Sequence, residues 1–153
     1  MPRLKDHLRR DLTTAMKARD SLRSSTLRMA LTAVTNAEVA GAQARELTDD
    51  EVTRVLVAEA KKRREAAAAY AAADRPELAD KERAEADLLA DYLPRPLTAD
   101  ELVELVTAAV EQTGAAGEGM RAMGPVMSVL RPQVIGRADG GVVAAEVRRQ
   151  LGA

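Results

Sequence analysis

LTDDEVTRVLVAEAKKRREAAAAYAAADRPELADKERAEADLLADYLPRPLTADEL, Leu47 to Leu102, is the stretch that decides the fold. Thr48 and Glu51 have the spacing of a capping box, in which the Thr oxygen accepts from the Glu51 amide and the Glu side chain reaches back. Leu47 and Val52 stand where a hydrophobic staple would clip the chain entry. The same L-T-x-D-E pattern, closed by an aliphatic residue, returns at Leu97, Thr98, Glu101 and Leu102. Two helix starts are therefore written into one segment. The first helix runs to about Ala73, since alanine is the best helix former. Asp74-Arg75-Pro76 is a short turn, and Pro76 suits the first position of a new helix. That helix runs to about Tyr92. Leu93-Pro94-Arg95-Pro96 follows as a stiff, extended linker and the expected hinge between two parts.

A turn this short makes the two helices antiparallel neighbours, with facing residues whose numbers sum to roughly 149. Arg63 then faces Glu85 and Glu82, and Leu56 approaches Leu93. Glu82 and Glu85 interrupt the stripe Leu78, Glu82, Glu85, Leu89, Tyr92. Charges on an apolar stripe need partners. The expectation is an ion pair from Lys61 or Arg63 to Glu82 or Glu85. The alternative turns the core face toward Ala84 and Leu88 and leaves both carboxylates solvated.

Toward the N-terminus, Leu4, Leu8, Leu12 and Met16, with Ala15 beside them, form a helical stripe. Asp20 can cap a second helix whose apolar positions are Leu27, Ala30, Leu31, Val34 and Ala37, and Gly41 can end it. Toward the C-terminus, Thr98 to Gln112 presents Leu102, Leu105, Val106 and Ala109. Gly114, Gly117 and Gly119 read as a loose loop. A short helix carries Met127 and Leu130 and ends at Pro132, with Pro125 opening it and Gly124 as its cap. Asp139 can cap a last helix that turns Val143, Val147 and Leu151 inward. The predicted fold is all-α: a four-helix N-terminal domain over 1–93, then a small three-helix domain over 97–153. With Tyr70 and Tyr92 the only aromatic residues, the core must be Leu, Val, Met and Ala.

The chain has no cysteine and one histidine, His7. That removes disulfides, thiolate or His-cluster metal sites and a His-dependent triad, unless His7 acts alone. The expectation is no metal, no cofactor and no catalytic residue. MPRLKDHLRRDL has no apolar run after its basic residues, so no signal peptide or membrane span is expected, and the cytoplasm is the expected location. Net charge is −1. Residues 1–45 nevertheless carry nine Arg/Lys against four Asp/Glu, while 46–92 carry eight against thirteen. The basic end is a candidate surface for a polyanion; the alternative is a solvated face neutralised by the acidic middle.

MRAMGPVMSVLRPQVIGRADG, Met120 to Gly140, breaks the helical pattern with glycine and proline and sets Arg121, Arg131 and Arg137 beside the breaks. Gly140 and Gly141 expose amides at a helix N-terminus, where an anion is favoured. Arg137 and Arg131 could add charge-assisted bonds to a phosphate. The competing reading is a structural turn, with Asp139 already capping the helix. Met120, Met123, Met127 and Leu130 form a stripe that serves either core or a partner protein. Lys61 to Arg64 wrap around their helix and form no single patch. Glu82 and Glu85, on one helix with no ligand histidine, do not make a di-metal site.

Leu27-Arg28-Met29, Lys61-x-Arg63, Arg75-x-x-Leu78, Glu82-x-x-Glu85, Tyr92-Leu93-Pro94, Gly124-x-Val126-Met127, Pro132 and Gly136-Arg-Ala-Asp-Gly140 occur in this order. Together they resemble the GatB/YqeY domain family over nearly the whole chain, and the stand-alone YqeY-like members most. The family usually has lysine where Pro125 stands here. The resemblance implies tRNA as a partner, beside an amidotransferase or an aminoacyl-tRNA synthetase, because the similar tail domain of GatB helps to hold tRNA and carries no active site. Arg137, Gly140, Gly141, Arg131 and Arg121 are then the candidate RNA-binding residues. A helical protein–protein adaptor is the second reading. Glutamine-dependent carbon–nitrogen ligase activity, as the family label suggests, ranks third, since the GatB catalytic core is absent.

Overall fold

The computed structural model describes residues 3–152, which form seven α-helices and a short 3₁₀ turn and, among the described residues, no strand. The chain divides into two compact units, Met1–Pro94 and Arg95–Ala153.

The first unit holds α1 (Leu4–Lys17), α2 (Ser21–Val39), α3 (Asp49–Ala72) and α4 (Pro76–Ala90). Helices α1 and α3 both end on a non-glycine residue in the left-handed region, Arg19 and Asp74, each with φ 57°. At α1 the Asp20 amide reaches the Ala15 carbonyl and the Arg19 amide reaches Met16; at α3 Arg75 reaches Tyr70 and Asp74 reaches Ala71. This is a Schellman closure, which serves carbonyls the helix end would leave unpaired. Asp20 then caps α2 through the Arg23 amide, and Pro76 opens α4, where its missing N–H costs nothing.

Leu8, Leu27, Val34, Val52, Leu56 and Leu89 are almost completely buried and meet in one core. Each such side chain contributes about 1.5–3 kcal/mol. The half-buried Glu38 carboxylate accepts from Lys5 Nζ at 2.5 Å and from the Leu47 amide at 3.2 Å, tying α1, α2 and the entry to α3 together. Those two bonds hold the Glu38 carboxyl below the usual range. Beyond the core the α3–α4 hairpin thins: between Arg64 and Ala84 only Ala67 and Ala79 are buried. Met16, expected on the inner stripe of α1, is 51% exposed. Residues spaced by four drift ~40° per step around a helix, so the fourth member leaves the face that Leu8 buries.

The second unit holds α5 (Ala99–Thr113), the 3₁₀ turn Gly119–Ala122, α6 (Met123–Val134) and α7 (Gly140–Leu151). Val106, Val126, Leu130, Val143 and Val147 are fully buried at its centre. Gly114, at φ 65°, ends α5 with the same closure, Ala115 amide to Val110 carbonyl.

Two expectations for α6 are corrected. The helix begins at Met123, so Gly124 lies inside it and is not its cap. Pro125 is the third residue, still in the first turn, where the amide has no helical partner. Pro132 does not end the helix, which continues to Val134. Burial of Val134 draws the last turn inward, and Ser128, whose carbonyl loses its partner to proline, is exposed to water.

The repeated L-T-x-D-E starts also differ. Thr48 and Glu51 make the full capping box. At α5 only Thr98 does its part, accepting from the Glu101 amide at 3.1 Å. The Glu101 carboxylate instead takes both guanidinium nitrogens of Arg95, at 3.0 and 2.8 Å. Arg45 grips Glu51 in the same two-point way, at 2.9 and 2.7 Å. The repeat is thus R-x-L-T-x-D-E, two residues longer than its helix-start signature.

Candidate functional site

The GRADG segment is built largely around its own unit. Gly136, at φ 72°, turns the chain after α6. The Arg137 carbonyl then accepts from the Leu97 amide at 2.8 Å, and its Nε donates to the Arg95 carbonyl at 3.0 Å. Its Nη2 lies 3.5 Å from Glu101, the carboxylate that Arg95 also holds. These arginines keep the Glu101 carboxyl below the usual range, the Arg95 hydrogen bond first. Arg137 is therefore a clasp between the entry to α5 and the loop before α7, not the free loop arginine expected from sequence. Gly141 follows the competing reading, in which Asp139 caps the helix. Its amide donates to Asp139 Oδ1 at 2.8 Å, so a carboxylate already sits at the start of α7. Gly140 is exposed.

The other two candidate arginines are open. Arg121 has a side chain 86% exposed, with Glu118 at 3.9 Å. Arg131, in the last turn of α6, is exposed and makes no ion pair among the described residues. Met120 is 48% exposed beside Arg121, while Met123 and Met127 pack on the core.

In the first unit Arg63 gathers three carboxylates. Its Nη2 donates to Glu59 at 3.1 Å, and its Nε lies 3.3 Å from Glu85 and 3.9 Å from Glu82. Lys61 is exposed and takes no part. The contact to Glu85 is an ion pair without a hydrogen bond, for Arg63 Nε and Glu82 Oε2 are both buried with no hydrogen-bond partner. Burial pushes the Glu85 carboxyl up, the Glu82 charge adds to that, and Arg63 opposes it.

Arg63 also lines an open groove of about 330 Å³ with Glu59 from α3 and Arg28, Met29, Thr32 and Asn36 from α2. Met29 Sδ lies 3.3 Å from Arg63 Nη2. Sequence reasoning missed Glu59 and Met29 as partners of Arg63. The available signal was Glu59 four residues before Arg63, the favoured order for a helical ion pair.

A third cluster joins α1 to the end of α4. The Tyr92 hydroxyl donates to Asp11, His7 Nε2 lies 3.3 Å from the same Asp11 oxygen, and the His7 and Tyr92 rings meet edge to face at 5.4 Å. His7 thus has specific partners, though its side chain is 54% exposed. Among the described residues no group of His, Cys, Asp and Glu is placed to hold a metal ion, and no helix is long and apolar enough to cross a membrane.

A family model described as Yqey-like protein matches residues 5–151. No curated protein matches the chain.

Proposed function

From the premise that the chain belongs to the YqeY-like family, within GatB/YqeY, we propose that it is an accessory tRNA-binding protein without an active site of its own. In this reading the four helices of the first unit and the three of the second are separate domains, and the second holds RNA. The observation that carries it is the exposure of Arg121 and Arg131, in a unit whose loop matches the tail-domain signature. Exposed guanidinium groups suit phosphate, which they grip at two points without reading base sequence. In this reading Arg137 holds the loop before α7 to the entry of α5 and does not itself contact RNA. The partner machinery is an amidotransferase or an aminoacyl-tRNA synthetase.

The second reading, a helical adaptor, draws on Met120 and Val142, 48% and 56% exposed in the same unit. Filter binding with total tRNA at several salt concentrations separates the two. Phosphate contacts give affinity that falls with salt, by roughly 0.7–0.9 in log–log slope for each phosphate neutralised. An adaptor gives capture of a protein from lysate that survives ribonuclease.

A further inference from the structure

The Arg63 cluster holds more negative charge than its guanidinium can serve. Glu59, Glu82 and Glu85 all lie within 3.9 Å of Arg63, and their side chains are 12%, 22% and 5% exposed. Lys62 touches Glu59 from outside, at 3.3 Å. Arg63 offers its Nη2 to Glu59, and the two glutamates of α4 meet its Nε without a hydrogen bond. A buried carboxylate oxygen with no donor, such as Glu82 Oε2, is costly. A carboxylate pair beside one cation is relieved when one member takes a proton, which also provides the missing donor.

We propose that Glu85, crowded by Glu82 against the Nε edge of a single guanidinium, takes up a proton in the folded protein, so that the α3–α4 hairpin carries a proton-sensitive clamp. The charged groups around Glu85 are Arg63 from α3, with Glu59 and Lys62 behind it, and Glu82 and Lys81 from α4. From α2 comes the uncharged Met29, with Arg28 farther along the groove. With the proton in place, Arg63 has one full counter-charge on α4. Without it, the buried Glu85 carboxylate and the buried Oε2 of Glu82 face the same guanidinium nitrogen, and the hairpin wall that borders the groove loosens. Burial raises the Glu85 carboxyl, so its contribution to stability is complete below the pKa of an unfolded glutamate. That contribution is lost as pH rises through the folded pKa.

The test is a ¹³C NMR titration of the glutamate carboxyls in the full chain, with thermal melts over the same pH range for wild type, Glu85→Gln and Glu82→Gln. One carboxyl should titrate above the others and vanish from the spectrum in Glu85→Gln. The wild-type melting temperature should fall across that titration relative to Glu85→Gln, and Glu82→Gln should move the Glu85 titration down. If Glu85→Gln does not fold, the wild-type and Glu82→Gln titrations decide alone. Ordinary titration of both glutamates, or melting curves that run parallel in wild type and Glu85→Gln, would overturn the proposal.

Discussion

Arg63 Nε lies 3.3 Å from a carboxylate oxygen of Glu85, a residue 4% exposed, across the α3–α4 hairpin. Removing the guanidinium would leave Glu59, Glu82 and Glu85 without their shared cation. Arg63→Ala should therefore cost on the order of 3–5 kcal/mol, as for one broken partner of a buried pair. Its neighbour Arg64 is exposed and unpaired among the described residues, so Arg64→Ala should cost well under ~1 kcal/mol. Denaturant midpoints compare the two, and equal midpoints would remove the hub.

Glu51 carries the opposite pH dependence. Arg45 first, then the Thr48 amide, hold its carboxyl down at about 2. A depressed folded pKa contributes stability above the unfolded value of ~4.3, lost as pH falls toward the folded one. Melting temperature should thus drop between about pH 4.3 and 2, and Glu51→Gln should flatten that drop. An unchanged acid limb in Glu51→Gln would show that Arg45 and the capping box add nothing measurable.

Arg19 and Asp74 occupy the left-handed region that glycine tolerates best. For an ordinary side chain that conformation costs roughly 1–2 kcal/mol, partly offset because glycine loses more entropy on folding. Arg19→Gly should stabilise the protein by about 0.5–1 kcal/mol, and Asp74→Gly by less, since aspartate visits this region more readily. Calorimetric melts rank the two. Destabilisation by Arg19→Gly would mean that the arginine makes a contribution its exposed position does not reveal.

Arg137 clasps Arg95 and Glu101, so Arg137→Ala should lower stability by about 1–2 kcal/mol, in the range for lost hydrogen bonds to a charged group. The change should register as faster amide exchange at Leu97, whose donor bond runs to the Arg137 carbonyl. Unchanged stability and exchange would return Arg137 to the pool of free arginines.

The contrast between Arg63 and Arg137 shows what sequence can carry. The Arg63 partners on α4 could be located because a short turn sets the register of two helices and charges on an apolar stripe demand partners. Met29 could not, since nothing local says which face of α2 meets α3. Arg137 looked free because its acceptor, the Arg95 carbonyl, is forty-two residues away and is a backbone group that any residue type would offer. Arg45 and Arg95 were visible as spacing, two residues before each L-T-x-D-E, but a bidentate grip depends on how the chain enters the helix. Pro132 misled because a proline read alone predicts a helix end. Burial of Val134 two residues later outweighs it.

The most direct measurement is the salt dependence of tRNA binding by the full chain, wild type against Arg121→Ala with Arg131→Ala. The account predicts binding that weakens with salt in the wild type. In the double variant it predicts weaker binding of all tRNAs alike, a log–log slope smaller by roughly 0.7–0.9 per lost phosphate contact, and an unchanged melting temperature. No salt-dependent binding by the wild type, or a double variant that binds tRNA as tightly and with the same slope, would contradict it.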